Sequence, residues 1–358
     1  MRPFEAKNIE SALDCINSGN LLDSLVDALA YMKFFSSTLE NSVAKNFCKQ
    51  TFLWNDNRYS SSMEGTQITL EDSLENKASE SEDENSNDLE NYMNAMSCGL
   101  SYLIRDGKFS EAMILDMHKM LLSGNVHKAS ENIGRYRTVQ NYIQNVSTKE
   151  VSYVPPEPSH VKKLMDNLIG YMNSPSPKQR NIVNAALIHA QFETIHPFED
   201  GNGRIGRMLI TLFLSMNKEI DNLNFFLSEG IEREKHRYYK YLNDIRTKNA
   251  WNEWIKFFLD VVTEQCKKYS DNIRKIDLLY KETVNKVEKI SSSQLVKKVM
   301  DGFFKWPVNT SKSLEKTTGL SNTTINRILD KLVENNIVFP NSRKRSTVYF
   351  FYDLIRLL

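Results

Sequence analysis

The chain has 358 residues, of which 41% are hydrophobic and 25% charged, and its 46 basic and 45 acidic residues leave a formal net charge of +1. This length predicts about two to three domains, and the composition predicts at least one packed core. The small net charge excludes a uniformly basic nucleic-acid coat and a uniformly acidic disordered chain, but it leaves local charged patches open.

The cysteines and the apolar runs bear on the cellular compartment of the protein. Four cysteines are scattered along the chain without a CxxC pair, which favours a reducing environment over a disulfide framework or a zinc ribbon. The N-terminal segment MRPFEAKNIE lacks the apolar stretch of a secretory signal, and the run Met208–Met216 is too short to span a membrane. We therefore expect a soluble, cytoplasmic protein with no membrane partner.

Helical spacing of apolar residues dominates the chain, and β-branched alternating runs are few. Apolar residues recur three and four positions apart within 21–32, 113–121 and 182–192, which predicts an amphipathic helix in each segment. Between the first two lies 71–90, with nine acidic residues and one lysine. Its centre, 79–88, contains no apolar residue and is predicted to be a solvated loop. These patterns predict an all-α protein.

The most informative segment is IHPFEDGNGRIGR at 195–207. The pattern predicts a helix that ends near His196, a loop that starts at Pro197, and a second helix that begins near Gly203. The buried stripe of the second helix is predicted to consist of Ile205, Met208, Leu209, Leu212, Phe213 and Met216.

The polar residues of this segment suit phosphate chemistry. Gly201 and Gly203 permit a positive φ or a close approach at a helix N-terminus, where free N–H groups favour an anion. Arg204 and Arg207, one turn apart, add charge for a polyphosphate, and Asp200 is a hard oxygen ligand suited to magnesium. His196 can accept a proton near neutral pH. His189, Glu193 and His196 also share one helical face, but His189 lies in an apolar run, which leaves no third strong ligand for a metal site there.

Taken together, HPFEDGNGRIGR resembles the signature of the Fic family, HxFx(D/E)GNGRxxR, at every defined position. The resemblance implies an all-helical core that transfers AMP from ATP to a hydroxyl group of a target protein. His196 would then be the general base and Asp200 would hold Mg²⁺ against the phosphates. The anion hole would comprise Gly201, Asn202 and Gly203, with Asn202 also contacting phosphate, and the β- and γ-phosphates would be neutralised by Arg204 and Arg207.

A second family motif lies upstream. The segment SSSMEG at 60–65 fits the inhibitory pattern (S/T)xxxE(G/N), with Ser60, Glu64 and Gly65 at the defined positions. The resemblance implies that Glu64 reaches Arg207 and occupies the place of the γ-phosphate. An inhibitory motif before the core is typical of the family's second class, in which it lies on an N-terminal helix.

Two weaker matches to the family concern the binding of the target protein and the binding of adenine. GRYRTVQNYI at 134–143, followed by YVPP at 153–156, resembles the family's flap, a hairpin that grips an extended target segment by strand addition. Tyr238, Tyr239 and Leu242 resemble the adenine pocket, although plain helix packing explains such aromatics equally well.

The C-terminal segment has its own pattern. From residue 291 onward eleven basic and five acidic residues leave a surplus of +6. Thr310 and Ser321 are predicted helix caps, and an alternating stretch surrounds the basic turn at 343–345. Helix, turn, helix and basic hairpin resemble a winged helix-turn-helix, with 322–327 opening a recognition helix. Contact with DNA and docking to a protein are both open for this segment.

The sequence thus divides into an N-terminal helical segment with the inhibitory motif (1–105), a Fic core (106–262), a connecting helix (263–290) and a winged helix (291–358). The predicted function is protein adenylyltransfer with ATP and Mg²⁺ to a Ser, Thr or Tyr hydroxyl, inhibited by Glu64. The alternatives are a DNA-binding regulator with a nucleotide-sensing core and an enzyme that removes AMP from its targets; a homodimer is also open.

Overall fold

The computed structural model of the chain describes residues 2–65, 84–124, 132–144, 151–220, 224–291, 293–341 and 347–357, with the backbone alone at 84–87. Two short 3₁₀ helices, Ile9–Cys15 and Ser18–Leu21, come first. The described α-helices follow in this order: α1 Leu22–Glu40, α2 Lys45–Met63, α3 Glu84–Asp106, α4 Glu111–Leu121, α5 Pro158–Asn173, α6 Asn181–Ile195, α7 Asn202–Met216, α8 Ser228–Arg233, α9 Lys235–Lys248, α10 Trp251–Ile290, α11 Gln294–Phe303, α12 Ser311–Thr318, α13 Asn322–Glu334 and α14 Tyr352–Ile355. None of the described helices is both long and apolar enough to cross a bilayer.

Only short antiparallel sheets accompany these helices in the described residues. Strands β1 (Ile143–Gln144) and β2 (Val151–Tyr153) form a hairpin, with Ile143 opposite Tyr153. Strands β3 (Val308–Thr310), β4 (Phe339–Pro340) and β5 (Val348–Phe350) form a second sheet in the order β3-β5-β4. The all-α fold with a small β-hairpin flap is therefore confirmed.

Helices α6 and α7 pack against each other at the centre of their unit. Every residue of α6 from Ile182 to Ile195 is buried, and so is every residue of α7 from Asn202 to Leu214. Such helices are surrounded by other elements on all sides. The short turn between them carries the HPFEDG segment, as the sequence predicted.

The chain separates into two compact units. The first comprises Met1–Lys33, Asp56–Thr66 and Asp88–Cys266, and the second Phe34–Asn55, Gln67–Asn87 and Lys267–Leu358. Helix α10 continues without interruption from Trp251, so the connecting helix predicted at 263–290 is its C-terminal part. The second unit places Phe52 of α2 on Tyr269 of α10, with ring centroids 3.9 Å apart.

The loop predicted at 79–88 is wrong from Glu84 onward, because α3 begins there. The rest of that acidic segment, 71–83, lies outside the described residues.

In the C-terminal part, α11, β3, α12, α13, β4 and β5 follow in the order of a winged helix-turn-helix. Thr310 and Ser321 cap α12 and α13 through their side-chain oxygens, as predicted. The basic turn predicted to tip the wing, 343–345, lies outside the described residues.

Candidate active site

His196 occupies the first residue after α6, at a sharp turn. Its φ of 51° is left-handed, a strained conformation for a residue with a Cβ. Arg137 holds this turn: its Nε donates to the His196 carbonyl at 2.8 Å, and its backbone N–H donates to the Pro197 carbonyl at 2.9 Å. The buried Arg137 guanidinium also donates to the Pro156 carbonyl. These bonds fix the backbone that presents His196.

The imidazole of His196 is mostly buried, with 18% of the side chain exposed. Its Nδ1 lies 3.9 Å from Oε2 of Glu193, one turn earlier in α6. Burial, followed by the charge of Arg246, lowers the pKa of His196 to about 4, so the ring is neutral near pH 7. A neutral imidazole can accept a proton, which the predicted base requires.

The loop after His196 is held by two side chains. Asn202 accepts from the Phe198 N–H and donates to the Phe198 carbonyl, both at 2.8 Å. His118 of α4 accepts from the Gly134 N–H through Nδ1 at 2.9 Å, so its Nε2 carries the proton and donates to the Asp200 carbonyl at 3.0 Å. The His118 ring also stacks on Phe198 at 3.8 Å. The amide of Asn202 therefore shapes the loop, and its contact with phosphate stays a prediction.

The N-terminus of α7 has the geometry of an anion site. Gly201 caps the helix with a φ of 77°, and the half-buried Asp200 accepts from its N–H at 2.7 Å. Gly203 has no positive φ, but a Cβ there would lie 2.2 Å from Oε1 of Glu64. The Glu64 carboxylate thus lies against the first turn of α7, where free backbone N–H groups favour negative charge.

Glu64 and Ser60 bind Arg207 from the end of α2. The Nη2 of Arg207 donates to Oε1 of Glu64 at 2.8 Å and to the Ser60 carbonyl at 3.0 Å, and its Nε donates to Ser60 Oγ at 2.9 Å. Gly65, with a φ of 92°, ends this segment. Burial is the largest single influence and opposes the charge of Arg207, but the interactions with Glu64, Tyr238 and Glu193 together outweigh it, so the pKa of Arg207 is raised. The two motifs, separated by more than 140 residues, meet at this guanidinium.

Arg204 is also buried, at 5% exposure. Its Nε has no hydrogen-bond partner among the described residues. Since a buried donor without a partner is costly, this guanidinium suits an anionic ligand.

Polar contacts position the end of α2. Asp56 is buried and accepts from Tyr92 Oη at 2.5 Å and from the Ser228 backbone N–H at 2.9 Å. Burial raises the pKa of Asp56, and the bonds from Ser228 and Tyr92 oppose that shift. Lys235 donates to the Met63 carbonyl at 3.1 Å, which satisfies one of the free carbonyls at the helix C-terminus.

The flap hairpin lies against the same turn. Asn141 donates to the Phe198 carbonyl at 2.8 Å, and Tyr153 Oη donates to the Thr194 carbonyl at 2.7 Å. Val139 and Tyr142 remain exposed, at 55% and 59%.

The predicted adenine residues lie on α9 with different exposures. Tyr238 is buried and its hydroxyl lies 3.0 Å from Nε2 of His189, whereas Tyr239 is 46% exposed. Leu242 is buried as well. Tyr238 and Leu242 therefore pack as core residues do, and the adenine assignment stays a prediction.

Sequence reasoning missed His118, Arg137, Asp56 and Tyr92. Arg137 belongs to the flap motif, which was the available signal, while no local pattern marks His118 or Tyr92. Asp56 precedes Ser60 and Glu64 by one and two helical turns, so a common face of α2 could have suggested it. In the described part of the chain, no three His, Cys, Asp or Glu side chains converge into a cage of protein ligands, and His189, Glu193 and His196 do not form one.

Comparison with known proteins places this geometry in a family. Residues 108–214 match the family model described as "Fic/DOC family". "Protein adenylyltransferase Fic" of Nematostella vectensis is 31% identical over 131 residues, which cover 36% of this chain and 27% of that protein. The protein of the same name from Drosophila ananassae is 29% identical over 201 residues, 54% of this chain and 37% of that protein.

The chain thus spans well under half the length of these curated relatives. A solved Fic family protein from Desulfovibrio desulfuricans G20 matches with a TM-score of 0.59 and 17% identity, over 98% of each chain, and shows a shared fold. Residues 108–214, which include the signature at 196–207, thus match the Fic/DOC family.

Proposed function

We propose that the chain is a protein adenylyltransferase, which transfers AMP from ATP to a Ser, Thr or Tyr hydroxyl of a target protein and is inhibited by Glu64. The names of the relatives from Nematostella vectensis and Drosophila ananassae support the reaction. The observation that carries the regulation is the 2.8 Å bond between Glu64 and Arg207. A carboxylate and a phosphate bind a guanidinium in the same way, so the two compete for this side chain.

In this reaction His196 accepts the proton of the target hydroxyl while the hydroxyl oxygen attacks the α-phosphorus of ATP. The bond from the α-phosphorus to the bridging oxygen breaks, and pyrophosphate leaves with the electron pair. The proton passes from His196 to pyrophosphate or solvent, which restores the neutral ring. Arg204, Arg207 and the N-terminus of α7 stabilise the charge of the phosphates, and most of the catalytic effect comes from this charge stabilisation and from positioning.

Asp200 fits a magnesium ion, because Mg²⁺ is usually held by one or two carboxylates together with substrate phosphates, not by a cage of protein ligands. Its carboxylate is half-buried beside the N-terminus of α7. When bound, the ion would neutralise phosphate charge. Asp200 would hold it, and no other residue is assigned to it.

Label position tests the reaction. The Glu64→Gly protein is incubated with ATP labelled at the α-phosphate and, in parallel, at the γ-phosphate, and protein-bound label is measured. Adenylyl transfer labels protein from the α-position alone. Label from the γ-position would indicate phosphoryl transfer instead, and no label from either position, in self-modification or in a cell extract, would contradict the assignment. Release of AMP from previously labelled protein measures the reverse reaction.

A second function, DNA contact, is favoured by the exposed N-terminal face of α13. Asn322, Thr323, Asn326 and Arg327 of this helix are exposed, and Lys312 and Lys316 of α12 are exposed as well. Binding to a DNA duplex should weaken as salt rises, because Lys and Arg contacts release counterions. Arg327→Ala should weaken DNA binding, whereas Arg356→Ala removes the same charge just after α14 and should not. If no DNA binds even at low salt, a protein-docking role remains.

A further inference from the structure

Glu193 lies one helical turn before His196 in α6 and faces its ring. The two side chains are 8% and 18% exposed, and Oε2 of Glu193 is 3.9 Å from Nδ1 of His196. Oε1 of Glu193 and Nδ1 of His196 are both shielded from solvent and have no well-formed hydrogen bond among the described residues. A native protein rarely leaves two such atoms unsatisfied unless they act together or serve a ligand. The backbone of Glu193 lies close enough to the His196 ring to raise its pKa, and it is therefore the competing acceptor for the ring proton.

The surroundings hold this carboxylate in place. A Cβ at position 206 would lie 2.4 Å from Oε1 of Glu193, so a glycine is required there for the carboxylate to lie against α7. The Glu193 carbonyl lacks its usual helical donor, since Pro197 has no N–H. Nη2 of Arg246 donates to that carbonyl at 3.1 Å instead. Both the backbone and the side chain of Glu193 are thereby fixed beside the ring.

The position of Glu193 bears on which ring nitrogen of His196 can act as the base. A neutral imidazole carries its proton on one nitrogen and accepts through the other. Since Nδ1 of His196 is shielded from solvent, Nε2 can serve as the base if the ring proton stays on Nδ1, which requires an acceptor there. The charged groups that act on the pair are Arg246 of α9, Arg207 of α7, Arg137 of the flap motif and Glu64 after α2. Three of these four are cations, which disfavour the imidazolium formed during proton transfer.

We propose that Glu193 is the positioning residue of His196: its carboxylate accepts the Nδ1 proton, which leaves Nε2 free as the base, and stabilises the imidazolium that forms. The inference rests on the proposed function in one respect: that function names the reaction in which His196 acts as the base. Shortening the present 3.9 Å between Oε2 of Glu193 and Nδ1 of His196 to the length of a hydrogen bond requires a movement of about 1 Å. Catalytic hydrogen bonds commonly tighten by such amounts when substrate binds.

The test compares Glu193→Gln with its parent in the Glu64→Gly background, so that the other nearby carboxylate is absent. Burial raises the pKa of Glu193 to about 7, and assays at about pH 8 therefore keep it ionised. We expect kcat to fall on the order of 10- to 100-fold with KM for ATP unchanged. The histidine nitrogen chemical shifts in NMR should show the Nδ1–H form in the parent and a mixture of both neutral forms in Glu193→Gln.

Thermal unfolding separates positioning from packing. The pKa of Glu193 is higher in the folded than in the unfolded protein, so ionising this buried carboxylate costs stability as the pH rises from about 4.5 to about 7. Replacing Glu193 by glutamine should therefore not lower the melting temperature at about pH 8. Glu229→Gln, a carboxyl of similar burial bonded to Gln265, is the matched control and should leave kcat unchanged.

Three results would overturn the inference. Unchanged kcat and ring shifts in Glu193→Gln would mean that the Glu193 carbonyl orients the ring, and a parallel fall of melting temperature and kcat would mean a packing role. An equal loss in Glu229→Gln would mean a general effect of buried carboxyls. A parent Glu64→Gly protein without any transfer would instead refute the proposed function, while the NMR measurement would still test the pairing.

Discussion

The turn between α6 and α7 and the end of α2 meet at Arg207, yet they are held in different ways. The helices on either side of the turn are buried on all faces and packed largely by apolar side chains. The buried face of α2 near Glu64 is polar instead, with Asp56, Asn57, Ser60 and Ser61 all below 5% exposure. Transient interfaces are on average more polar than permanent ones. Glu64, the carboxylate proposed to inhibit transfer, therefore lies at the end of an element whose nearby buried face is polar.

The largest loss of activity is expected from a change in the turn between α6 and α7. His196→Ala in the Glu64→Gly background removes the proton acceptor but leaves the anion site, so AMP transfer should fall by roughly 100-fold or more while ATP still binds. Initial rates with labelled ATP and a binding titration measure the two effects. His160→Ala, an exposed histidine of α5, is the control. Undiminished labelling by His196→Ala would remove this residue from the mechanism.

A smaller loss of activity is expected from a change at Asp200, in the same turn. Asp200→Ala in the Glu64→Gly background should lower transfer on the order of 10-fold at low magnesium, because the phosphates lose a shared ligand. A magnesium titration should restore part of the rate. If the rates of both proteins depend on magnesium in the same way, Asp200 does not hold the ion.

The smallest effect is expected at the polar anchor of α2. Asp56→Asn replaces one acceptor by a donor and disturbs the bonds from Tyr92 and Ser228, which should weaken the seating of Glu64 by about 1 kcal/mol. Transfer by the protein with an intact Glu64 should rise up to about 10-fold. Asp56→Asn combined with Glu64→Gly should give no further rise, and Asp23→Asn, an exposed aspartate of α1, should change nothing.

A rise in transfer that persists in the Glu64→Gly background would show that Asp56 acts elsewhere than on inhibition. A fall in both backgrounds would mean that the substitution damages the fold. Either result would contradict the role of Asp56 as an anchor of the inhibitory helix.

The two regions also differ in how far the sequence predicts them. The turn was predictable because its residues are neighbours in sequence: Pro197 ends α6, Gly201 takes a positive φ, and the apolar stripe of α7 is regular. The bond between Glu64 and Arg207 was expected only from a family resemblance. Asp56 and Tyr92 depend on contacts across 36 residues of chain, and no local pattern encodes such pairs. Their burial contradicts the usual exposure of polar residues, so composition gives no signal either.

The most direct test of Glu64 as an inhibitor measures the rate of AMP transfer and the affinity for ATP in Glu64→Gly and in the parent protein. Because a displacement of about 1 Å of the reacting atoms can cost on the order of 100-fold, transfer should rise by about that factor while the Kd for ATP changes much less. Arg207→Ala should not reproduce the rise, since it removes the partner of Glu64 and the phosphate clamp together. If Glu64→Gly transfers AMP no faster than the parent protein, the inhibitory role of the segment from Ser60 to Gly65 is wrong.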